Sequence, residues 1–390
     1  MSIRYLFGKK KAYTDAETKT KEKTMKMRSF FRDADIALRS VSDENAAHII
    51  FMTDISSLTF PDLENFIKSL GEPSFRAKQI FAWLGRGAMS FDAMTDLSKT
   101  LREKLRAECA LATLEMRRKL VDPADGTTKY LFALSDGLLI ETVVMKYKHG
   151  NSVCISSQAG CRMGCKFCAS TLKGKERDLT AGEMLAQVAF ANADAGVTNV
   201  VVMGVGEPLD NFDNLCVFLE NLHDPRGLNI SHRHVSVSTC GIVPRIYELA
   251  EKHLQITLSV SLHAPDDETR SKIMPINAAY NVGTLMKACD AYFAATNRRI
   301  SYEYTLIKNV NDTPAHARRL AALMRGRTAH VNLIPVNYVS ERGLIPSDRE
   351  TVNNFCEMLL KSGVNATLRR TLGDGINAAC GQLRLAEDRK

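Results

Sequence analysis

Between residues 150 and 370, short β-branched runs alternate with segments of helical periodicity, and this limits the possible folds more than any other feature of the chain. Strands are expected at 153–156, 199–203, 234–238, 255–262, 300–306, 330–334 and 366–370. Helices are expected between them at 180–195, 211–222, 243–252, 282–293, 313–324 and 348–361. Thr180 with Glu183, and Ser347 with Glu350, have capping-box spacing, and Gly196, Gly326 and Gly363 fall where helices should stop. Repeated strand–helix units build a parallel sheet covered by its crossovers. Six or so such units predict an α/β fold, a partial (β/α)6 barrel whose ligands sit at the C-terminal ends of the strands.

Two more strands are expected at 128–134 and 138–145. Further upstream, apolar residues recur at helical spacings: Leu63, Phe66, Ile67, Leu70; Phe75, Ile80, Phe81, Leu84; Leu97, Leu101, Leu105. This predicts a small helical domain over 53–110 ahead of the main domain, 111–390. Arg76, Lys78 and Arg86 beside its apolar face suit phosphate contact, or form an ordinary solvated face. Residues 1–52 read as a basic, flexible extension. Residues 1–30 hold nine Lys or Arg against three Asp or Glu, so they supply +6 of the net +8. Such a tail can meet a polyanion or simply be solvated.

No apolar run is long enough for a bilayer, and the basic N-terminus lacks the apolar stretch of a secretory signal. A cytoplasmic location is therefore expected, where ten cysteines would stay reduced and form no disulfide framework. Cys109, Cys216, Cys289 and Cys356 fall on apolar helical faces and read as core, while Cys240, after a strand, stays open. Cys154, Cys161, Cys165, Cys168 and Cys380 lie in loops or at strand ends.

Three of these stand in "QAGCRMGCKFCAS", residues 158–170, at C-x3-C-x2-C spacing in a strand-to-helix loop. A structural zinc site wants four closed ligands. An iron–sulfur cube held by three thiolates keeps one iron open, with Met163 and Phe167 available to shield it. Zinc with Cys154 as fourth ligand, or unligated thiols, are the alternatives.

With an aromatic residue before its last cysteine, the motif resembles that of the radical S-adenosylmethionine (SAM) superfamily, in which SAM binds the open iron. "CISSQAGCRMGCKFCAS", "VVMGVGEPLDN", "VSVSTCGIVP", "SLHAPDDETR", "VNLIPVN" and "GDGINAACGQL" together resemble the adenine carbon-2 RNA methyltransferases acting on 23S rRNA and tRNA. The similarity runs over about residues 52–385 and includes "EPSFRAKQIFAWL". It implies one 4Fe-4S cluster on Cys161, Cys165 and Cys168, and two SAM molecules per turnover. It also implies a SAM pocket made by Gly206, Glu207, Ser238, Ser261, Leu262, His263 and Asn332. The partners implied are RNA and an electron donor such as flavodoxin or ferredoxin, and a monomer is expected.

The same resemblance implies the chemistry. Adenine carbon 2 is electron-poor and cannot displace a sulfonium methyl group. Cys380, in a glycine-bearing loop, would accept a methyl group from one SAM. The 5'-deoxyadenosyl radical from a second SAM would activate that methyl group for addition to the base. Cys154 would then resolve the adduct and leave a disulfide. Glu141, in "GLLIETVVM", matches a glutamate with an acid–base role. A carboxylate among apolar residues should have a raised pKa, although an exposed strand glutamate would fit the same pattern. An adenine carbon-8 methyltransferase conferring antibiotic resistance is the close alternative. A non-catalytic, zinc-stabilised RNA-binding protein is the alternative from another class.

Overall fold

The computed structural model describes residues 52–378. The N-terminal extension up to Phe51 and Cys380 lie outside the described residues.

Strands β1 (Thr53–Asp54) and β2 (Cys109–Ala110) pair in parallel around helices α1 (Phe60–Ser69), α2 (Phe75–Gly85) and α3 (Lys99–Glu108). The expected apolar positions Leu63, Ile67, Ile80, Phe81, Leu97, Leu101 and Leu105 form the core of this part. Thr59 and Ser98 cap α1 and α3 by accepting the N–H groups of Asp62 and Leu101. Cys109 is buried as expected, but it opens β2 and does not sit on a helical face; its thiol donates to the Leu105 carbonyl at 3.0 Å.

The main sheet starts as an antiparallel meander of β3 (Glu115–Val121), β4 (Thr128–Ala133), β5 (Leu139–Tyr147) and β6 (Gly150–Cys154). A small hairpin, β7 (Gln158–Gly160) and β8 (Lys175–Asp178), brackets the three-cysteine loop. Then α4 (Ala181–Ala195) leads to β9 (Asn199–Val202), α5 (Phe212–His223) to β10 (Val235–Thr239), and α6 (Val243–Glu251) to β11 (Thr257–Ser261). Helices α7 (Asp267–Ile273) and α8 (Val282–Thr296) precede β12 (Ile300–Leu306); α9 (Pro314–Met324), β13 (Ala329–Pro335), α10 (Arg349–Lys361) and β14 (Ala366–Leu368) complete the series. The strand order is β14-β13-β12-β11-β10-β9-β6-β5-β4-β3, parallel from β6 to β14. The sheet is open at β3 and β14, which makes the barrel partial.

Alternation along the strands makes the concave interior polar. In β10, Val235 and Val237 pack into the core while Ser236 and Ser238 stand on the other face; in β11, Leu258 and Val260 alternate with Ser259 and Ser261. The valines meet α5 and α6 through Phe218, Leu222 and Ile246. Small hydroxyl residues leave room inside the sheet for a ligand.

The Thr180–Glu183 capping box forms as expected. The Ser347–Glu350 box does not: Asp348 caps α10 by accepting from Thr351 N–H at 2.8 Å, while Ser347 donates to Asp312 at 2.7 Å. A carboxylate caps as well as a hydroxyl, so the helix starts one residue later. β3 was not expected because "EMRRKLV" lies almost wholly exposed on the sheet edge and carries no alternation to read. Among the described residues, no helix is long and apolar enough to cross a membrane.

Candidate active site

The C-terminal ends of the parallel strands enclose a chamber of about 1000 Å³ including its mouth. That is the upper end of the size range for small-molecule sites, roughly 300–1,000 Å³. Cys161, Cys165 and Cys168 line it from the loop after β7, together with Met163, Phe167 and Thr171. Gly206 and Glu207 enter after β9, Ser238 and Cys240 from β10, Ser261 and His263 from β11, and Asn337 after β13.

The cysteine loop is held by bonds at both ends. Gly174 O accepts from Cys161 N–H at 2.9 Å, and Ile273 O accepts from Lys166 N–H at 2.9 Å. Thr171 donates to the carbonyls of Cys165 and Cys168, and Arg342 donates to Thr171. Fully buried Gln158 ties this loop to the next one, accepting from Glu207 N–H at 2.9 Å and donating to Asp178 and Asp210. Arg162 and Lys175 also bond Asp210, so its carboxyl sits below the usual range although burial alone would raise it.

Burial pushes the Cys161 thiol up to about 12, opposed by a hydrogen bond from Met163 N–H; burial and the neighbouring sulfurs push Cys165 up as well. These thiols surround a shared space, yet among the described residues no three His, Cys, Asp or Glu side chains converge on a single-ion position. Three soft sulfurs around a space larger than one ion fit a 4Fe-4S cluster. They do not fit the single zinc. Its supposed fourth ligand, Cys154, packs in a different cluster with Val143, Met145 and Val205, and it does not line the chamber.

Glu207 is buried, which pushes its carboxyl up against the hydrogen bonds it accepts from Cys240 N–H at 2.7 Å and Leu209 N–H at 3.1 Å. The Cys240 thiol, left open by the sequence, lies beside that carboxylate; burial and the adjacent charge raise it well above the ordinary thiol value. It lines the chamber as a neutral group. His263 Nδ1 accepts from Thr305 N–H at 2.9 Å, and burial, with the Arg270 charge, drops its pKa to about 3. Its ring meets Phe167 edge-on at 4.6 Å. Arg270, wholly buried, donates to the carbonyls of Cys240, Ser261 and Leu262 and to Asn277 Oδ1, tying together three loops around the chamber.

Two expected pocket residues are not in the chamber lining. Leu262 is wholly buried in the hydrophobic core, on the alternate position to Ser261 and His263. Asn332 donates to Glu303 at 2.7 Å and lines an adjoining cavity that shares Met203, Glu303 and Arg369 with the chamber. Asn337, five residues on, stands in the chamber instead. The motif "VNLIPVN" holds both asparagines, and only the path of the chain beyond β13 distinguishes them.

Glu141 and Cys154 lie beside the chamber on one face of the antiparallel part, since Val143 pairs with Cys154 and Leu131 with Glu141. Glu141 is buried, contrary to an exposed strand position, and its partner comes from the neighbouring strand: Lys129 Nζ lies 3.3 Å from Glu141 Oε1, both side chains about 5% exposed or less. Ala378, two residues before Cys380, is buried in the Cys154 cluster. Met203 lines the chamber and also packs against that cluster, so the two regions adjoin.

A partial barrel with three cysteines in the loop after its first parallel strand, facing a mostly apolar chamber with a few placed polar groups, defines a radical SAM enzyme, which uses a 4Fe-4S cluster and SAM. The radical SAM superfamily model matches residues 155–321, and a model described as the ribosomal RNA large subunit methyltransferase N-terminal domain matches 53–111. A probable dual-specificity RNA methyltransferase RlmN of Lachnospira eligens is 52% identical over 336 residues, covering 85% of this chain and 96% of the relative. The similarly described Clostridium tetani protein is 48% identical over 335 residues, with 85% and 96% covered. A crystal structure of a radical SAM methyltransferase from Sphaerobacter thermophilus superposes with a TM-score of 0.82 at 43% identity, covering 85% of this chain and 98% of that one. The chain belongs to the RlmN family of radical SAM RNA methyltransferases.

Proposed function

We propose that this enzyme methylates carbon 2 of an adenine in 23S rRNA and in tRNA through a methyl group carried on Cys380. The observation that carries the reading is the shared sheet face of Cys154 and Glu141, with the segment leading to Cys380 packed on it at Ala378, next to the three-cysteine chamber. Cys161, Cys165 and Cys168 would hold the cluster, and Gly206, Glu207, Ser238, Ser261, His263 and Asn337 would line the SAM site. When bound, the cluster supplies the electron that cleaves SAM to a 5'-deoxyadenosyl radical.

The remaining work falls to the chain's own residues. Cys380, as thiolate, takes a methyl group from SAM by displacement, a reaction suited to a sulfur nucleophile. After the carbon has joined the base, Glu141 takes the ring proton. Cys154, as thiolate, attacks the Cys380 sulfur; the S–S bond forms as the C–S bond breaks, the carbon keeps that electron pair and is protonated to methyl, and the one unpaired electron that entered with the deoxyadenosyl radical would be given back to the bound cluster. A cellular thiol reductant then reopens the disulfide. Neutral His263 adds no positive charge to a chamber wall that already carries Arg369.

Two measurements test this. Digested rRNA and tRNA from treated substrate, compared by mass spectrometry with 2-methyl- and 8-methyladenosine standards, should yield the 2-methyl nucleoside; the 8-methyl product would assign the other ring position. Cys154→Ala should accumulate protein joined to RNA through the Cys380 methylene. Recovery of only free protein despite SAM cleavage would remove Cys154 from the resolving role.

A further inference from the structure

Five residues ahead of Ala378 the chain makes a tight turn, and the groups that hold it come from the β3–β4 hairpin. Gly373 N–H donates to Asp125 Oδ2 at 2.9 Å and Gly375 N–H to Asp122 Oδ2 at 3.0 Å. The Asn377 carbonyl accepts from Lys129 Nζ at 3.1 Å. The same ammonium lies 3.3 Å from Glu141. Two carboxylates, one ammonium and one strand pair thus hold a segment some 250 residues away in sequence, with separations of 248 and 253 residues for the bonds to Gly373 and Gly375.

The turn is shaped for this contact. Gly373 has φ +69, and a Cβ there would stand 2.8 Å from Thr127 Cγ2 and 2.7 Å from Ala378 Cβ. Only glycine lets the segment approach the hairpin so closely. A buried ammonium needs charged and polar partners, so Lys129 is costly in a purely structural role and is compensated only while both the glutamate and the carbonyl stay in place.

We infer that the β3–β4 hairpin is the dock for the cysteine-bearing C-terminal segment, and that Lys129 is a positioning residue that fixes this segment in register with Glu141. The inference rests on the reading that Cys380 carries the methyl group. A segment that must serve both SAM and the base needs one defined resting position on the sheet face that bears Cys154. Asp122 and Asp125 set its height and Lys129 its distance from the acid–base glutamate. A lysine suits the task because its compact ammonium can face two acceptors, the β5 carboxylate of Glu141 and the Asn377 carbonyl of the C-terminal turn, where a planar guanidinium would favour one carboxylate.

The test uses the reconstituted full-length enzyme as wild type, Lys129→Met, Lys129→Arg and Asp125→Ala. Iron content, labelling of Cys380 by methyl-labelled SAM, the rate of RNA methylation and hydrogen exchange over residues 371–378 are measured for each. With Lys129→Met, iron content should match wild type, exchange at 371–378 should quicken, and RNA methylation should slow about tenfold to a hundredfold, the factor that one charge-assisted hydrogen bond carries. Lys129→Arg should regain part of the rate. Asp125→Ala, at a half-exposed turn, should quicken the same exchange and slow methylation with no change at Glu141, and it decides the matter if Lys129→Met fails to fold. Wild-type exchange and a rate within twofold of wild type in both Lys129→Met and Asp125→Ala would overturn the dock. Absence of label on Cys380 in the wild type would instead overturn the methyl-carrier reading, and the exchange data would still decide whether the hairpin holds the segment.

Discussion

Gly206 offers a sharp test of the chamber's construction. Its φ is +112, and a Cβ would stand 2.6 Å from Gln158 Cβ and 2.8 Å from Gln158 N and Cγ. Gln158 cannot yield, because its side chain is held by Glu207 N–H, Asp178 and Asp210. Gly206→Ala therefore carries two costs, a backbone held at positive φ and an overpacked contact. Gly363, with φ +78 and nothing within 4 Å of its would-be Cβ, carries only the first. The conformational cost is about 1–2 kcal/mol and overpacking adds about 1–3 kcal/mol. Urea unfolding should show a loss of about 1–2 kcal/mol for Gly363→Ala and about 2–5 kcal/mol for Gly206→Ala, with unchanged m-values. Calorimetric titration should show weaker SAM binding in the second variant alone. Equal losses in the two, or intact SAM affinity in Gly206→Ala, would refute the argument that this glycine exists for a close approach.

Three further outcomes are expected. Replacing Cys161, Cys165 or Cys168 with Ala should abolish iron and labile sulfide in anaerobically reconstituted protein, and SAM cleavage with it; full iron content in any variant would contradict the ligand set. Because His263 stays neutral down to about 3 when folded and binds a proton near 6.5 when unfolded, it makes the folded state lose stability as pH falls from about 6.5 towards 3, at roughly 1.4 kcal/mol per pH unit. His263→Gln should show a slope shallower by that amount in unfolding measurements between pH 6 and 4, and identical slopes would disprove it. Arg270→Met leaves the carbonyls of Cys240, Ser261 and Leu262 buried without their donor, so unfolding should cost about 3–5 kcal/mol less; a loss under about 1 kcal/mol would mean that these loops hold themselves.

The elements most legible in the sequence were those whose pattern matches their burial. β12 runs over the expected residues, and α4 starts at the Thr180 capping box because Thr180 and Glu183 satisfy each other's backbone without help from the rest of the fold. The three-cysteine spacing likewise announced its chemistry, since a loop that short must bring its sulfurs to one place. Local spacing could not reveal partners that come from far along the chain. Lys129 beside Glu141, Asp125 on Gly373 and Arg270 across three loops are each made by strand order and crossover path. Asn332 and Asn337 differ for the same reason: each follows the motif equally well, and only the bend after β13 decides which one faces the chamber.

Residue order alone therefore determined the parallel architecture, most of the helix starts and the spacing of the three proposed sulfur donors, because periodicity, capping and short-range spacing act within a few residues. Which polar side chains meet across the sheet, and with what burial, was decided by the tertiary structure. Those contacts depend on register and on how the open barrel curves, and neither leaves a mark on the neighbouring sequence.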